Sequence, residues 1–290
     1  MARYSIAQVM LPQLSFPEAL AVLARAGADG IGIQQSREPV GDPAADLAAF
    51  RDSGLAASVC GLAMTHVLPS PRSPEPADPT ARAELISRAL ADLAPYQPAC
   101  AIVGPGTQAG CEPDRAWELA VTALQAVARR AGDLGVTVAI EPIHASIAAE
   151  FSAVTDMAAA VRMCTDIGEP NVGIVFDIWH LWDTPGIEDY IRAAAGQIVG
   201  VQVDDRREPT RAWYDRALPG DGVARAGQLL AALRAAGYDG WLDLEVITGD
   251  GRTGRTFSDS LWHCDPAQVA ADGLARMKSL WDNDADSLHG

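Results

Sequence analysis

VTVAIEPIH (residues 136–144), VGIVFDIWH (172–180), IVGVQVDD (198–205) and WLDLEV (241–246) decide the fold. Each is a short apolar run that ends in a residue type able to bind a metal. Apolar runs of four to eight residues read as buried strands. A side chain just past such a run stands at the carboxyl end of its strand, the end where a parallel barrel assembles its chemistry. Glu141, Asp177, Gln202 and Glu245 can therefore converge on one point, although about 100 residues separate the first from the last. Three unpaired carboxylates buried together repel one another, and a divalent cation between them removes that cost. The four runs together point to a metal enzyme.

Outward from these runs, the chain alternates strand-like stretches with alanine-rich helical ones, the pattern of βα units around a parallel sheet. Eight strands are expected, at residues 4–10, 30–34, 56–60, 99–103, 137–141, 173–177, 198–203 and 241–246. The first helix opens on the capping box Ser15-Phe16-Pro17-Glu18. A short one is expected at 44–51, and others at 80–94, 114–134, 155–165, 187–195, 226–236 and 266–281. Gly27, Gly135 and Gly237 each follow a helical segment just ahead of a strand, where a left-handed C-terminal cap is wanted. Long connections at 69–79, 206–222 and 248–264 fall on the carboxyl-end face, where long loops are typically functional. No linker or composition shift divides the chain, so residues 1–290 read as one α/β domain, a (β/α)8 TIM barrel.

Composition narrows the function. A net charge of −16 disfavours nucleic acid, whose phosphates need a basic field. No apolar stretch reaches the roughly 18 residues that span a bilayer. The opening MARYSIAQVML carries too short an apolar run for a signal peptide, so a cytoplasmic protein with no membrane partner is expected. Cys60, Cys100, Cys111, Cys164 and Cys264 lack CxxC or zinc spacing and read as free thiols of a reducing compartment. The one lysine, Lys278, lies in LARMKSLW, a pattern of a terminal outer helix. Schiff-base chemistry needs a lysine in the active site, so it is not expected.

In order along the chain, Glu141-Pro142-Ile143-His144, Phe176-Asp177-Ile178-Trp179-His180, Arg216 with Pro219-Gly220-Asp221-Gly222, and Glu245 resemble the sugar phosphate isomerase/epimerase superfamily, the xylose isomerase-like barrels. That group includes ketose 3-epimerases, inosose isomerases and dehydratases, hydroxypyruvate isomerase and apurinic endonucleases. The resemblance covers nearly the whole chain and is strongest over residues 136–246. It implies a metal held by a glutamate, an aspartate, a histidine and a second glutamate, here Glu141, Asp177, position 202 and Glu245. Position 202 departs from the pattern, because Gln202 offers an amide oxygen in place of an imidazole nitrogen. An all-oxygen set favours Mn²⁺, with Mg²⁺ as the alternative and Zn²⁺ behind both.

The resemblance implies a divalent-metal-dependent isomerase or epimerase acting beside the carbonyl of a ketose, inosose or related keto-sugar through an enediolate. A cation on the carbonyl stabilises the enediolate, and two carboxylates on opposite faces move the proton. Glu141 and Glu245 take those roles by analogy with the family. His180 reads as a donor to a substrate oxygen, and Arg216 as the partner of a hydroxyl or carboxylate. Trp179, Trp182 and Trp213 are candidates for a sugar-stacking wall. His144 reads equally as a further base or as a loop histidine capping a backbone group. Asp204 and Asp205 read equally as direct participants or as supporting hydrogen-bond acceptors. The alternative chemistry on a similar site is a lyase, either an inosose dehydratase or the catalytic subunit of a C-glycoside deglycosidase acting on a 3-keto sugar. The partner is a small sugar or polyol ketone. The resemblance is compatible with a homo-oligomer, or with a small second subunit under the lyase reading.

Overall fold

In the computed structural model the described residues are 2–35, 41–108, 110–249 and 255–282. The strands are β1 (Arg3–Ala7), β2 (Gly30–Gly32), β3 (Ala56–Ala57), β4 (Val59–His66), β5 (Cys100–Gly104), β6 (Val138–Ile140), β7 (Val172–Asp177), β8 (Ile198–Val203), β9 (Asp205–Arg206), β10 (Arg216–Ala217) and β11 (Trp241–Leu244). The helices are α1 (Phe16–Ala26), α2 (Pro43–Ser53), α3 (Pro79–Leu93), α4 (Pro113–Asp133), α5 (Ala148–Phe151), α6 (Met157–Ile167), α7 (Ile178–Leu181), α8 (Ile187–Ala194), α9 (Ala226–Ala235) and α10 (Pro266–Asp282).

Nine strands form one parallel sheet in the order β3-β2-β1-β11-β8-β7-β6-β5-β4. The two ends of that order are a single stave. β3 and β4 are separated only by Ser58, whose N–H donates to Ile31 and whose carbonyl accepts from the Cys100 N–H. β2 continues the closure with a bridge from Gln34 to Gly61 on β4. The sheet therefore closes into eight staves with helices outside, the (β/α)8 barrel expected from the alternating pattern.

Local chemistry explains the element ends. The Ser15 N–H donates to Glu18 at 2.8 Å, which satisfies an orphan group where α1 begins. Gly27, Gly135 and Gly237 take φ of 78°, 70° and 87°, so all three cap positions are left-handed. On α4 the buried face is Ala116, Ala120, Ala123, Leu124, Val127, Ala128 and Ala131. These recur at helical spacing, and their small size lets the helix lie close to the sheet. Burying a side chain such as Leu124 contributes about 1.5–3 kcal/mol.

Several boundaries differ from the sequence expectation. Residues 8–10 form a 3-10 turn instead of extending β1. The third stave runs on to His66, well past residue 60. α2 runs from Pro43, where Asp42 caps it by accepting the Ala44 N–H, to Ser53, where Gly54 at φ 73° ends it. The connection at 206–222 holds a small antiparallel ribbon of β9 and β10. The expected loop at 248–264 includes residues 250–254, which lie outside the described residues.

The barrel interior is narrow below the site. Val59, Cys100, Ala139 and Val175 form a separate core inside it. A Cβ on Gly200 would come within 2.6 Å of Val59, so a larger residue would force the staves apart. Above this plug, Asp177 pairs in register with Gln202, Gln202 with Asp243, and Asp243 with Ser5. Register partners in a parallel pair face the same side, so these side chains point inward together.

Candidate active site

β6, β7, β8 and β11 are consecutive staves of the barrel, and they carry Glu141, Asp177, Gln202 and Glu245 respectively. Glu141 follows the last residue of β6, Asp177 ends β7, Gln202 lies next to the end of β8, and Glu245 follows β11. The fold thus brings the four ligand candidates to one half of the barrel mouth. Asp177 and Gln202 are 0% and 2% exposed.

Arg216 stands among the acids. It is carried on β10 and is itself buried. Its Nη1 donates to Asp204 at 2.6 Å, to Asp177 at 3.0 Å and to Glu245 Oε2 at 3.2 Å. Burial lowers the proton affinity of this guanidinium, but Asp177, Asp204, Glu245 and Glu141 outweigh it and hold the group charged. One cation does not neutralise four carboxylates. Burial, with the charges of Asp177 and Glu245, pushes the Glu141 carboxyl well above its ordinary range. Burial and Asp177 do the same to Asp204 against the opposing pull of Arg216. Glu245 is pushed up to about 8 by burial, with Arg216 pulling the other way.

His180 is oriented by the backbone. The His144 N–H donates to His180 Nδ1 at 3.0 Å. A backbone N–H can only donate, so Nδ1 is the acceptor and Nε2 carries the hydrogen of the neutral ring. Nε2 faces Asp177 Oδ2 at 3.7 Å and Glu141 Oε1 at 3.8 Å. Burial lowers the His180 pKa to about 3, so the ring stays neutral. The His144 ring is held elsewhere. Its Nδ1 lies 2.7 Å from Ser146 Oγ, and its Nε2 lies 3.3 Å from Asp183. The structure therefore does not bring the His144 side chain to the acids; its backbone positions His180. Trp179 is 1% exposed. Its ring lies under the Arg206 and Arg216 guanidinium groups at 4.8 and 5.2 Å, so it forms a buried wall and offers no open stacking face.

A metal fits the donors present. Gln202 Oε1 is buried and has no hydrogen-bond partner among the described residues, which is costly for a carbonyl oxygen. With Glu141, Asp177 and Glu245 it offers an all-oxygen set suited to a hard divalent cation. Glu141, Asp177 and His180 also offer ligand atoms that lie within 4.8 Å of one another. Glu245 is not in that group, and the His144 N–H on His180 Nδ1 leaves the hydrogen of the neutral ring on Nε2.

Two residues gained definite roles that the sequence left open. Asp204 is the closest partner of Arg216. Asp205 accepts the backbone N–H groups of Arg206, Gly220 and Ala224 at 2.8, 2.9 and 2.8 Å, and so pins the ribbon that delivers Arg216. His66 ends β4 and lines a cavity. Lys278 lies on α10 and donates to the Gly27 carbonyl, away from the acids, as the outer-helix reading expects. All five cysteines are free.

The fold has known relatives. A protein of Streptomyces coelicolor, named provisionally as a hydroxypyruvate isomerase, is 30% identical over 156 residues, 51% of this chain and 52% of that protein. The match thus spans about half of that relative's length. The crystal structure of a Sinorhizobium meliloti 1021 protein superposes with a TM-score of 0.80 at 25% identity, covering 97% of this chain and 98% of the other. The fold of a D-allulose 3-epimerase from Methylomonas sp. matches at TM-score 0.76 and 21% identity, over 96% and 98% of the two chains. The family model described as the xylose isomerase-like TIM barrel matches residues 20–280, and the chain belongs to that family.

Proposed function

We propose that the protein is a divalent-metal-dependent sugar isomerase or epimerase that moves a proton beside the carbonyl of a ketose, inosose or related keto-sugar through an enediolate. The observation that carries this reading is the arrangement of Glu141, Asp177, Gln202 and Glu245 on four consecutive staves, with a buried amide oxygen lacking a partner among the described residues. A metal bound there, Mn²⁺ by preference, would polarise the carbonyl and stabilise the negative charge that develops on it. Glu141 and Glu245 stand at the two ends of the acid cluster, where one takes the proton and the other returns it to the opposite face. His180 donates from Nε2 toward the substrate oxygens, and buried Arg216 holds the neighbouring oxygen in place. The D-allulose 3-epimerase of like fold is consistent with this chemistry. We place the enzyme in the cytoplasm.

The test is solvent exchange. The Mn²⁺-loaded enzyme is incubated in D₂O with free ketoses, inososes and 3-keto glycosides, and proton NMR follows deuterium beside the carbonyl. Exchange that disappears in Glu245→Gln supports the proposal. Net loss of water or of an aglycone would assign the lyase outcome instead. Failure of the metal to bind would sink the mechanism.

A further inference from the structure

The barrel mouth holds a second chemical environment. At the end of β4 lies a cavity of about 260 Å³ lined by Ala63, Met64, Thr65, His66, Ser70, Arg72, Ser73, Arg82 and Phe151. β4 lies four staves from β8 in either direction around the ring, so the cavity faces Gln202 across the mouth. Among the described residues its lining carries two guanidinium groups and no carboxylate. The proposed reaction centre opposite is built of acids.

The cavity is preformed. Arg82 is fully buried. It directs Nε to the His66 carbonyl at 2.7 Å and Nη1 to the Ser73 and Pro76 carbonyls, each at 3.1 Å. Its Nη2 donates to Ser73 Oγ at 3.2 Å. Ser70 and Ser73 exchange backbone hydrogen bonds at 3.0 and 3.1 Å, which fixes both hydroxyls at the wall. Burial and the Arg82 charge together lower the His66 pKa to about 4, so this ring is a neutral hydrogen-bonding group. Arg72 lies 5.0 Å from both the Phe151 and the Trp213 rings, and among the described residues its one carboxylate contact is 3.5 Å to Glu150, between two half-exposed side chains. Such surface pairs are weak and exchange readily. Chain continuity ties the cavity to the acids. Phe151 ends the segment that starts at Glu141, and Trp213 lies three residues before Arg216.

We propose that this cavity is a subsite for a small oxyanion on the substrate, a carboxylate or a phosphate, gripped by Arg72 in the field of Arg82. The substrate is then a keto compound with an acidic group at the end remote from the reacting carbon. A chain of net charge −16 repels such a molecule in general, and the two arginines turn that repulsion into orientation. The subsite rests on the proposed enolising reaction only in that both halves of the mouth serve one molecule.

Inorganic phosphate is the first probe. Calorimetric titration against sodium chloride at matched ionic strength is run on the wild type, Arg72→Gln and Glu245→Gln. Saturable phosphate binding is expected in the wild type and in Glu245→Gln, with affinity at least roughly tenfold lower in Arg72→Gln, the loss expected for a charge-assisted contact. In the D₂O assay, Arg72→Gln should lower kcat/KM for acid-bearing keto-sugars by a similar factor and leave neutral ones unchanged. Phosphate heat no greater than that of chloride, or equal binding by Arg72→Gln, overturns the subsite. Exchange on neutral sugars without phosphate binding would leave the enolising reaction standing alone. Phosphate binding with no exchange on any compound would retain the subsite and sink that reaction.

Discussion

Removing Arg216 tests whether the acid cluster needs a positive charge at its centre. The guanidinium is 3% exposed and has three carboxylate partners within 3.2 Å. Replacing it by glutamine leaves Asp177, Asp204 and Glu245 buried without a counter-charge. Breaking a buried ion pair from one side costs about 3–5 kcal/mol. Total stability is commonly about 5–15 kcal/mol, so Arg216→Gln should lose a large fraction of it. The loss should depend on pH. Without Arg216 the folded carboxyls bind protons more tightly than in the unfolded chain, so the penalty grows as pH rises above about 4. It should depend on metal too. In the wild type a cation competes with Nη1 for Asp177 and Glu245, and in the variant it does not. Saturation at 100 times Kd restores about 2.7 kcal/mol. The assay is urea unfolding followed by tryptophan fluorescence, in EDTA at pH 5 and pH 7.5 and then with Mn²⁺. A variant as stable as the wild type in EDTA at pH 7.5 would refute the reasoning, as would a gap that ignores both pH and Mn²⁺.

Asp205→Ala leaves three backbone N–H groups without their acceptor and should cost about 3 kcal/mol, with a lower kcat because the ribbon carrying Arg216 loosens. Thermal melts and exchange kinetics on the folded variant check both parts. Gln202→His replaces an oxygen donor with a nitrogen one and should shift the Zn²⁺-over-Mn²⁺ preference by about tenfold or more in competitive metal titrations. An unchanged ratio would remove Gln202 from the ligand set. His66 should titrate near pH 4 by NMR. The unfolded histidine gains its proton near 6.5, so His66 withdraws stability as pH falls from 6.5 toward 4, about 2 kcal/mol of it by pH 5. A midpoint above 6 would contradict the burial assigned to that ring.

The parts of the fold legible in the sequence were those with strong local signals. The run at 198–203 coincides with β8 because Ile, Val and Gly alternate there between the barrel interior and the helix layer. Gly27, Gly135 and Gly237 mark real chain reversals because only glycine takes that φ cheaply. The ribbon of β9 and β10 was not legible, because two-residue strands have no periodicity to read. The upper half of β4, Gly61 to His66, was missed because its inward residues line a cavity and its apolar pattern fades. At the site, residue types at strand ends pointed to the four metal candidates. The pairing of Asp204 with Arg216 depends on a turn of the chain between them, and no spacing rule predicts it. The His144 ring followed its local partners, Ser146 and Asp183, which pull it away from the acids.

The order of the staves has a consequence for how the protein is made. β11 inserts between β1 and β8, so the first and the eighth strands of the chain have no common neighbour until the last strand arrives. While residues 241–244 are still within the ribosome, the emerging chain presents two parallel edges with unpaired N–H and carbonyl groups. The same late strand brings Glu245, which completes the acid cluster. Ring closure and assembly of the site are thus one event, and a chain truncated before residue 241 would offer sticky edges to its neighbours.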